Sequence, residues 1–316
     1  MIKKMQTNKK ETHTSKRQFL LHDLKINRNL YIMMIPVLVY FLLFKYLPMY
    51  GALMAFQDYS PKLGVWGSKW VGLKHFINFV TARSFWGLLG NTFRISFSSL
   101  IFGFPAPILL ALLMNELQSM KFKKVVQNIT YLPHFISLVV VCGLVKDFTM
   151  NDGVIGNLVE IFGGEPKTLL NYPEFFVPVY IISDIWQGVG WGTIIYLSAL
   201  SAVDSTLYEA ATIDGAGRFK QVLHITLPGI APTIVIMLIL RLGSILNVGF
   251  EKIILLYNDS TMSVADVISS YVYRRGLINL DWSFSSAVGL FNSVINLIFL
   301  IGSNYINKRV NESSLW

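Results

Sequence analysis

Long apolar stretches decide what this chain can fold into. Six windows, roughly residues 29–56, 86–114, 125–146, 174–200, 229–250 and 284–306, are long and apolar enough to cross about 30 Å of hydrocarbon at 1.5 Å per residue. Composition agrees: 53% of the residues are hydrophobic, 14% are charged and the mean hydropathy is +0.52, values that belong to chains whose solvent is lipid. The expected fold is an all-α integral membrane protein with six transmembrane helices, its membrane domain covering residues 29–306.

A formal net charge of +9 raises the question of nucleic acid, and the placement of the charges answers against it. With a cytoplasmic N-terminus, the inside segments hold fifteen Lys/Arg and the outside loops eight, with Lys45, Arg94, Lys146 and Arg241 inside spans. That bias predicts both termini in the cytoplasm of a multi-pass cell-membrane protein. Residues 1–28 read as a basic cytoplasmic tail near anionic lipid, and 307–316 as a short cytoplasmic C-terminal tail. The first apolar window starts too late and runs too long for a cleavable signal peptide. The lone cysteine, Cys142, reads as a small core residue of the third span.

Catalytic chemistry is not legible. The histidines, His13, His22, His75, His134 and His224, are scattered over both sides; there is no metal-binding His pair, no nucleophile elbow and no Walker-type phosphate loop. The chain is therefore not expected to be an enzyme, and any ATP must be bound by another polypeptide. An ion- or proton-coupled secondary transporter is the alternative reading. Such a protein needs intramembrane carboxylates and internal repeats; Asp184 is the one deep carboxylate, and no clear repeat is present.

The most ordered polar run lies between the fourth and fifth windows, in a cytoplasmic loop over 201–228. Asp204, Ser205 and Thr206 supply helix-starting residues, and Thr206-x-x-Glu209 has capping-box spacing, which predicts a short helix capped by Thr206 with Glu209 reaching back. Leu207, Ala210 and Ala211 give it a small apolar face, Gly215 and Gly217 permit a sharp turn, and Pro228 and Pro232 suit the first turn of the next span. Read as a pattern, Glu209-Ala210-Ala211, three residues ending at Asp214, Gly215, nine residues and Ile225-Thr226-Leu227-Pro228 resembles the cytoplasmic loop of binding-protein-dependent ABC importer permeases at every defining position. Looser signals extend the resemblance over residues 28–306: Asn91-Thr92, Leu132-Pro133, and the outer segments Phe56-Gln57-Asp58-Tyr59-Ser60-Pro61 and Trp70-Val71-Gly72-Leu73, which look like the subgroup that imports oligosaccharides and complex carbohydrates.

The resemblance implies an ABC type I importer permease architecture, with Glu209, Ala210, Ala211, Asp214, Gly215 and Pro228 in a loop that docks on an ATPase. It further implies a second permease subunit, two ATPase subunits that bind ATP and magnesium, an extracytoplasmic binding protein and an oligosaccharide substrate, with no cofactor in this chain. In related sugar importers the sugar sits between the helices flanking the loop. On the first of these, Tyr180, Asp184, Gln187, Gly188 and Trp191 recur at three- and four-residue intervals. On the second, Arg241, Ser244, Asn247 and Glu251 are expected to do the same. Hydroxyl-binding groups and flat aromatic faces in an apolar surround suit a sugar; a bland reading, helix glue and interface anchors, stands beside it for each residue. Similar depth predicts an Asp184–Arg241 pair near the midplane, and His134 and Ser137 are weaker candidates.

Overall fold

The computed structural model describes residues 23–310, so most of the basic N-terminal tail and residues 311–316 lie outside it. The chain divides into two units at Leu53 and Met54. The first holds the first predicted span, α1 (Arg28–Phe56), as far as Leu53. It is α-helical through Phe41 despite Pro36, widens into a π turn at Leu42–Tyr46 and finishes as a tighter 3₁₀ run.

That π turn recurs with a physical reason. Three of them, Leu42–Tyr46, Ser99–Gly103 and Val222–Thr226, each end two residues before a proline: Pro48, Pro105 and Pro228. A proline inside a helix removes one backbone bond and collides with the carbonyl four residues back, costing about 3 kcal/mol or more. A π turn placed over that carbonyl shifts its bonding by one residue and lets the rod continue.

In the second unit the strands β1 (Gln57–Asp58) and β2 (Lys69–Trp70) pair antiparallel, and Phe56 stacks on Trp70 at 5.7 Å. Asp58 meets Lys74 at 2.9 Å and the buried His75 at 3.1 Å, both at the start of α2 (Lys74–Val80). The Lys74 ammonium holds the Asp58 carboxyl below the usual carboxylate range. The helices α3 (Phe85–Asn115), α6 (Pro173–Leu200), α8 (Arg218–Leu242) and α10 (Trp282–Val310) form the body, with α4 (Met120–Phe135) and α5 (Leu138–Phe148) between the first two of these.

Among the described residues four helices are long and apolar enough to cross a membrane, five crossings if α4 and α5 count as one. The remaining predicted span, α6, is a continuous 28-residue helix of about 40 Å, long enough to cross, with Asp184, Gln187 and three glycines lowering its apolarity. The third predicted span differs from expectation: it is not one rod but two helices at 103°, broken at Ile136 and Ser137 just after Pro133. Its upper half packs in the core with Cys142, 1% exposed, beside Phe176 and Ile253. Its lower half presses against α6 so closely that a Cβ on Gly190 would lie 2.1 Å from the Thr130 carbonyl oxygen.

The fifth predicted span also differs. Its helix begins at Arg218, well before the expected 229, and ends at Leu242 rather than 250. Gly243 sits where a Cβ would come within 2.6 Å of Leu300 on α10. The chain then runs through turns to α9 (Phe250–Leu256), and Asn296 of α10 accepts the Leu246 amide at 3.0 Å. Ser244, Asn247 and Glu251 are therefore not on one helical face with Arg241, because close packing on α10 and its amide-binding asparagines hold the chain in a non-helical run there.

Candidate functional site

The cytoplasmic loop folds into a hairpin of two helices. The first, α7 (Ser205–Ile213), is capped by Asp204, whose carboxylate accepts the Thr206 amide at 2.9 Å. That hydrogen bond holds the Asp204 carboxyl below its usual range. The expected capping box is thus displaced: Asp204 takes the cap ahead of Thr206, and Glu209 lies too deep in the helix to reach back. The Glu209 side chain is exposed and has no hydrogen bond or ion pair among the described residues.

Past Ile213, Gly215 adopts φ +75°, the Gly215 amide donates to the Thr212 carbonyl at 3.1 Å and the Ala216 amide to the Ala211 carbonyl at 2.8 Å. These are the two reversed bonds that close a helix with a left-handed glycine. Gly217, at φ −68°, needs no such freedom. Gln221 Nε2 donates to Thr212 Oγ1 and to the Ala216 carbonyl, and the Tyr208 hydroxyl to Thr226 Oγ1 at 3.0 Å, so α7 is bonded to the base of α8. Pro228 is inside α8 and accommodated by the π turn, rather than at the start of a span. Ala210 and Asp214 are exposed, Ala211 half-buried, and Ile213 and Phe219 leave 87% and 80% of their surface uncovered.

The second region lies between the spans. Two adjoining cavities, of about 200 and 380 Å³, share Ser99, Asp184, Arg241 and Ser244 on their walls. From α6, Tyr180, Asp184 and Gly188 enter at four-residue steps, which keeps them on one face. Asn247 completes the smaller cavity, its carbonyl oxygen accepting from Asn292 and Asn296 at 3.0 Å each. Six of the eight expected path residues, Tyr180, Asp184, Gly188, Arg241, Ser244 and Asn247, thus meet around one space.

Gln187 and Trp191 do not. Trp191 stacks on His134 at 4.6 Å, nearly parallel, and Gln187 Nε2 donates to the Ile136 carbonyl at 3.4 Å. Both support the break between α4 and α5, where Ser137 caps α5. His134, Ser137 and the exposed Glu251 line neither cavity.

The expected Asp184–Arg241 pair is replaced by another. Asp184 bonds Lys252 Nζ at 3.3 Å, and Lys252, 3% exposed, stands 4.9 Å from the Tyr180 ring centre. Arg241 Nη2 instead donates to Ser99 Oγ at 2.6 Å. Lys252, Ser99 and Ser96 are the wall residues that sequence reasoning missed. The expected topology places Lys252 among the eight outer-loop cations; the signal against that is the apolar run Ile253-Ile254-Leu255-Leu256 behind it.

A helical, multi-crossing protein with a polar cavity between its spans and a self-supporting hairpin flanked by two of them is built as a transport permease. A family model described as the inner membrane component of binding-protein-dependent transport systems matches residues 103–312, and the chain belongs to that family. Protein LplB of Bacillus subtilis (strain 168) is 46% identical over 294 residues, 93% of this chain and 92% of its own. The polygalacturonan/rhamnogalacturonan transport system permease protein YteP of the same organism is 47% identical over 302 residues, 95% and 94% of the two chains. Among solved structures, a chain of a bacterial ABC transporter involved in import of the acidic polysaccharide alginate superposes with a TM-score of 0.85 at 43% identity, covering 93% of this chain and 99% of that one. A second, from an alginate ABC transporter in complex with an alginate pentasaccharide-bound periplasmic protein, gives 0.86 at 42% identity, covering 94% and 99%.

Proposed function

We propose that this chain is the permease subunit of an ATP-driven importer, forming half of the translocation pore for an oligosaccharide delivered by an extracytoplasmic binding protein. The reading is carried by one observation: the loop hairpin is held by its own caps and by α8, while Glu209, Ile213 and Phe219 point outward without partners among the described residues. A surface that its own fold does not use is available to another protein. We assign that role to an ATPase, with Ala210 and Ala211 allowing close approach, Gly215 shaping the turn, and Asp214 and Pro228 flanking it. Both termini and this hairpin then lie in the cytoplasm, with the 1–28 and 307–316 tails and the 201–228 loop on that side of a 29–306 membrane domain.

ATP and magnesium belong to two ATPase partners, and this chain performs no catalysis; its work is to present alternating access to the sugar through the Tyr180, Asp184, Gly188, Arg241, Ser244 and Asn247 cavity, opposite a second permease. In the reconstituted transporter, Glu209→Lys and Gly215→Asp are expected to leave the chain in the membrane and to lower binding-protein-stimulated uptake by about tenfold or more, because the first reverses and the second adds a charge on the docking surface, and mismatched charges across an interface are costly. Gly215→Asp adds the strain of a side chain in the left-handed region. Normal assembly with normal uptake in both variants would refute the docking assignment.

A further inference from the structure

Three ionised side chains stand at the smaller cavity: Asp184, Lys252 and Arg241. Asp184 and Lys252 neutralise one another. Arg241 is left over, since its one bond is to the neutral Ser99 hydroxyl and no described ion pair includes it. A guanidinium offers five N–H donors, so most of its capacity is unspent. On the same wall Ser96, 6% exposed, has a hydroxyl with no partner among the described residues. The groups this chain contributes therefore carry one uncompensated positive charge together with unsatisfied hydrogen-bonding groups, at a depth where an unpaired charge is costly. The hydroxyls of a neutral sugar satisfy donors but leave the charge. A carboxylate supplies the counter-charge and matches the planar fork of the guanidinium.

We infer that Arg241 receives a sugar carboxylate, so that the cavity selects uronate-bearing oligosaccharides over neutral ones, with Asp184 acting as the counter-ion that keeps Lys252 from binding the same anion. This rests on the oligosaccharide-permease reading and deepens it. The test uses the whole purified transporter without its binding protein, so that the latter's own preference does not enter. It is titrated calorimetrically with trigalacturonate and with the fully methyl-esterified, neutral counterpart. The wild-type complex is expected to bind the acid about tenfold more tightly, and the preference is expected to shrink as salt rises from about 0.05 to 0.5 M.

Arg241→Gln removes the preference, whereas Arg241→Lys keeps the charge without the planar fork and retains part of it. Misfolding would weaken both ligands alike in either variant, so loss of the acid's advantage with the neutral ligand still bound identifies a charge effect. Equal wild-type affinities, or a preference that survives in Arg241→Gln, overturn the inference. If Arg241→Gln does not assemble, the wild-type salt dependence and the partial preference of Arg241→Lys decide it, and absence of both overturns it. Wild-type binding of neither saccharide refutes the oligosaccharide reading and this inference with it.

Discussion

Gly188 and Gly190 stand two residues apart on α6 and do different work. Gly188 lines the larger cavity and a Cβ there would touch nothing within 4 Å, whereas at Gly190 it would strike the Thr130 carbonyl. Gly190→Ala is therefore expected to force α4 off α6 and lower stability by about 1–3 kcal/mol or more, read as a reduced melting temperature of the purified transporter. Gly188→Ala should melt like the wild type while changing saccharide affinity; the reverse order of effects would mean the cavity face has been misassigned. The spacing along α6 was enough to pick out Gly188 beside Asp184. Gly190 was hidden, because its demand comes from a backbone contact with a helix about 60 residues earlier in the chain. Lys252 was hidden for a related reason: the chain folds back through Gly243–Gly249 and brings an apparent loop residue to Asp184.

Element existence was more legible than element ends. The hairpin turn could be read from Gly215, yet the cap moved from Thr206 to Asp204 because two good capping residues compete within one turn and the sequence does not rank them. Leu132-Pro133 entered the sequence reading only as a loose family signal, and the break in the third span was not legible from it, because the 103° bend is supported by Gln187, His134 and Trp191 across the interface. At the outer clip, the lowered Asp58 carboxyl makes a signed prediction. A group whose folded pKa is depressed stabilises above its unfolded value of about 3.9 and ceases to do so as pH falls through the folded value. Hydrogen exchange at the Val71 amide, which donates to the Phe56 carbonyl at 2.8 Å, should stay slow from neutral pH down to that range and quicken, beyond the intrinsic rate, only below it. Asp58→Asn should quicken it at neutral pH; slow exchange in that variant would show that the clip stands without the ion pair.

At the scale of the whole molecule, charge bias was sufficient to propose an orientation, and one of the eight cations counted outside, Lys252, proves to be buried among spans, so the bias in the loops is stronger than the count implied. With Cys142 replaced by Ser, a single cysteine at Leu207 should react with an impermeant maleimide only from the cytoplasmic side, and one at Lys62 only from the outside; labelling in the opposite sense would invert the topology and remove the hairpin from reach of an ATPase. The unbroken course of α8 has a mechanical consequence. The hairpin grips this rod at Gln221, just before the π turn, and at Thr226, the turn's last residue, so the bulge is braced where a push enters. Arg241 is twenty residues beyond Gln221, about 30 Å along the axis, and a tilt of about 5° at the base swings it by about 3 Å. That swing is larger than the roughly 1 Å of extension that would carry the 2.6 Å Arg241–Ser99 bond out of hydrogen-bonding range. The rod is a lever whose long arm ends on a single hydrogen bond, and a few degrees delivered at the hairpin are enough to open it without unwinding any helix.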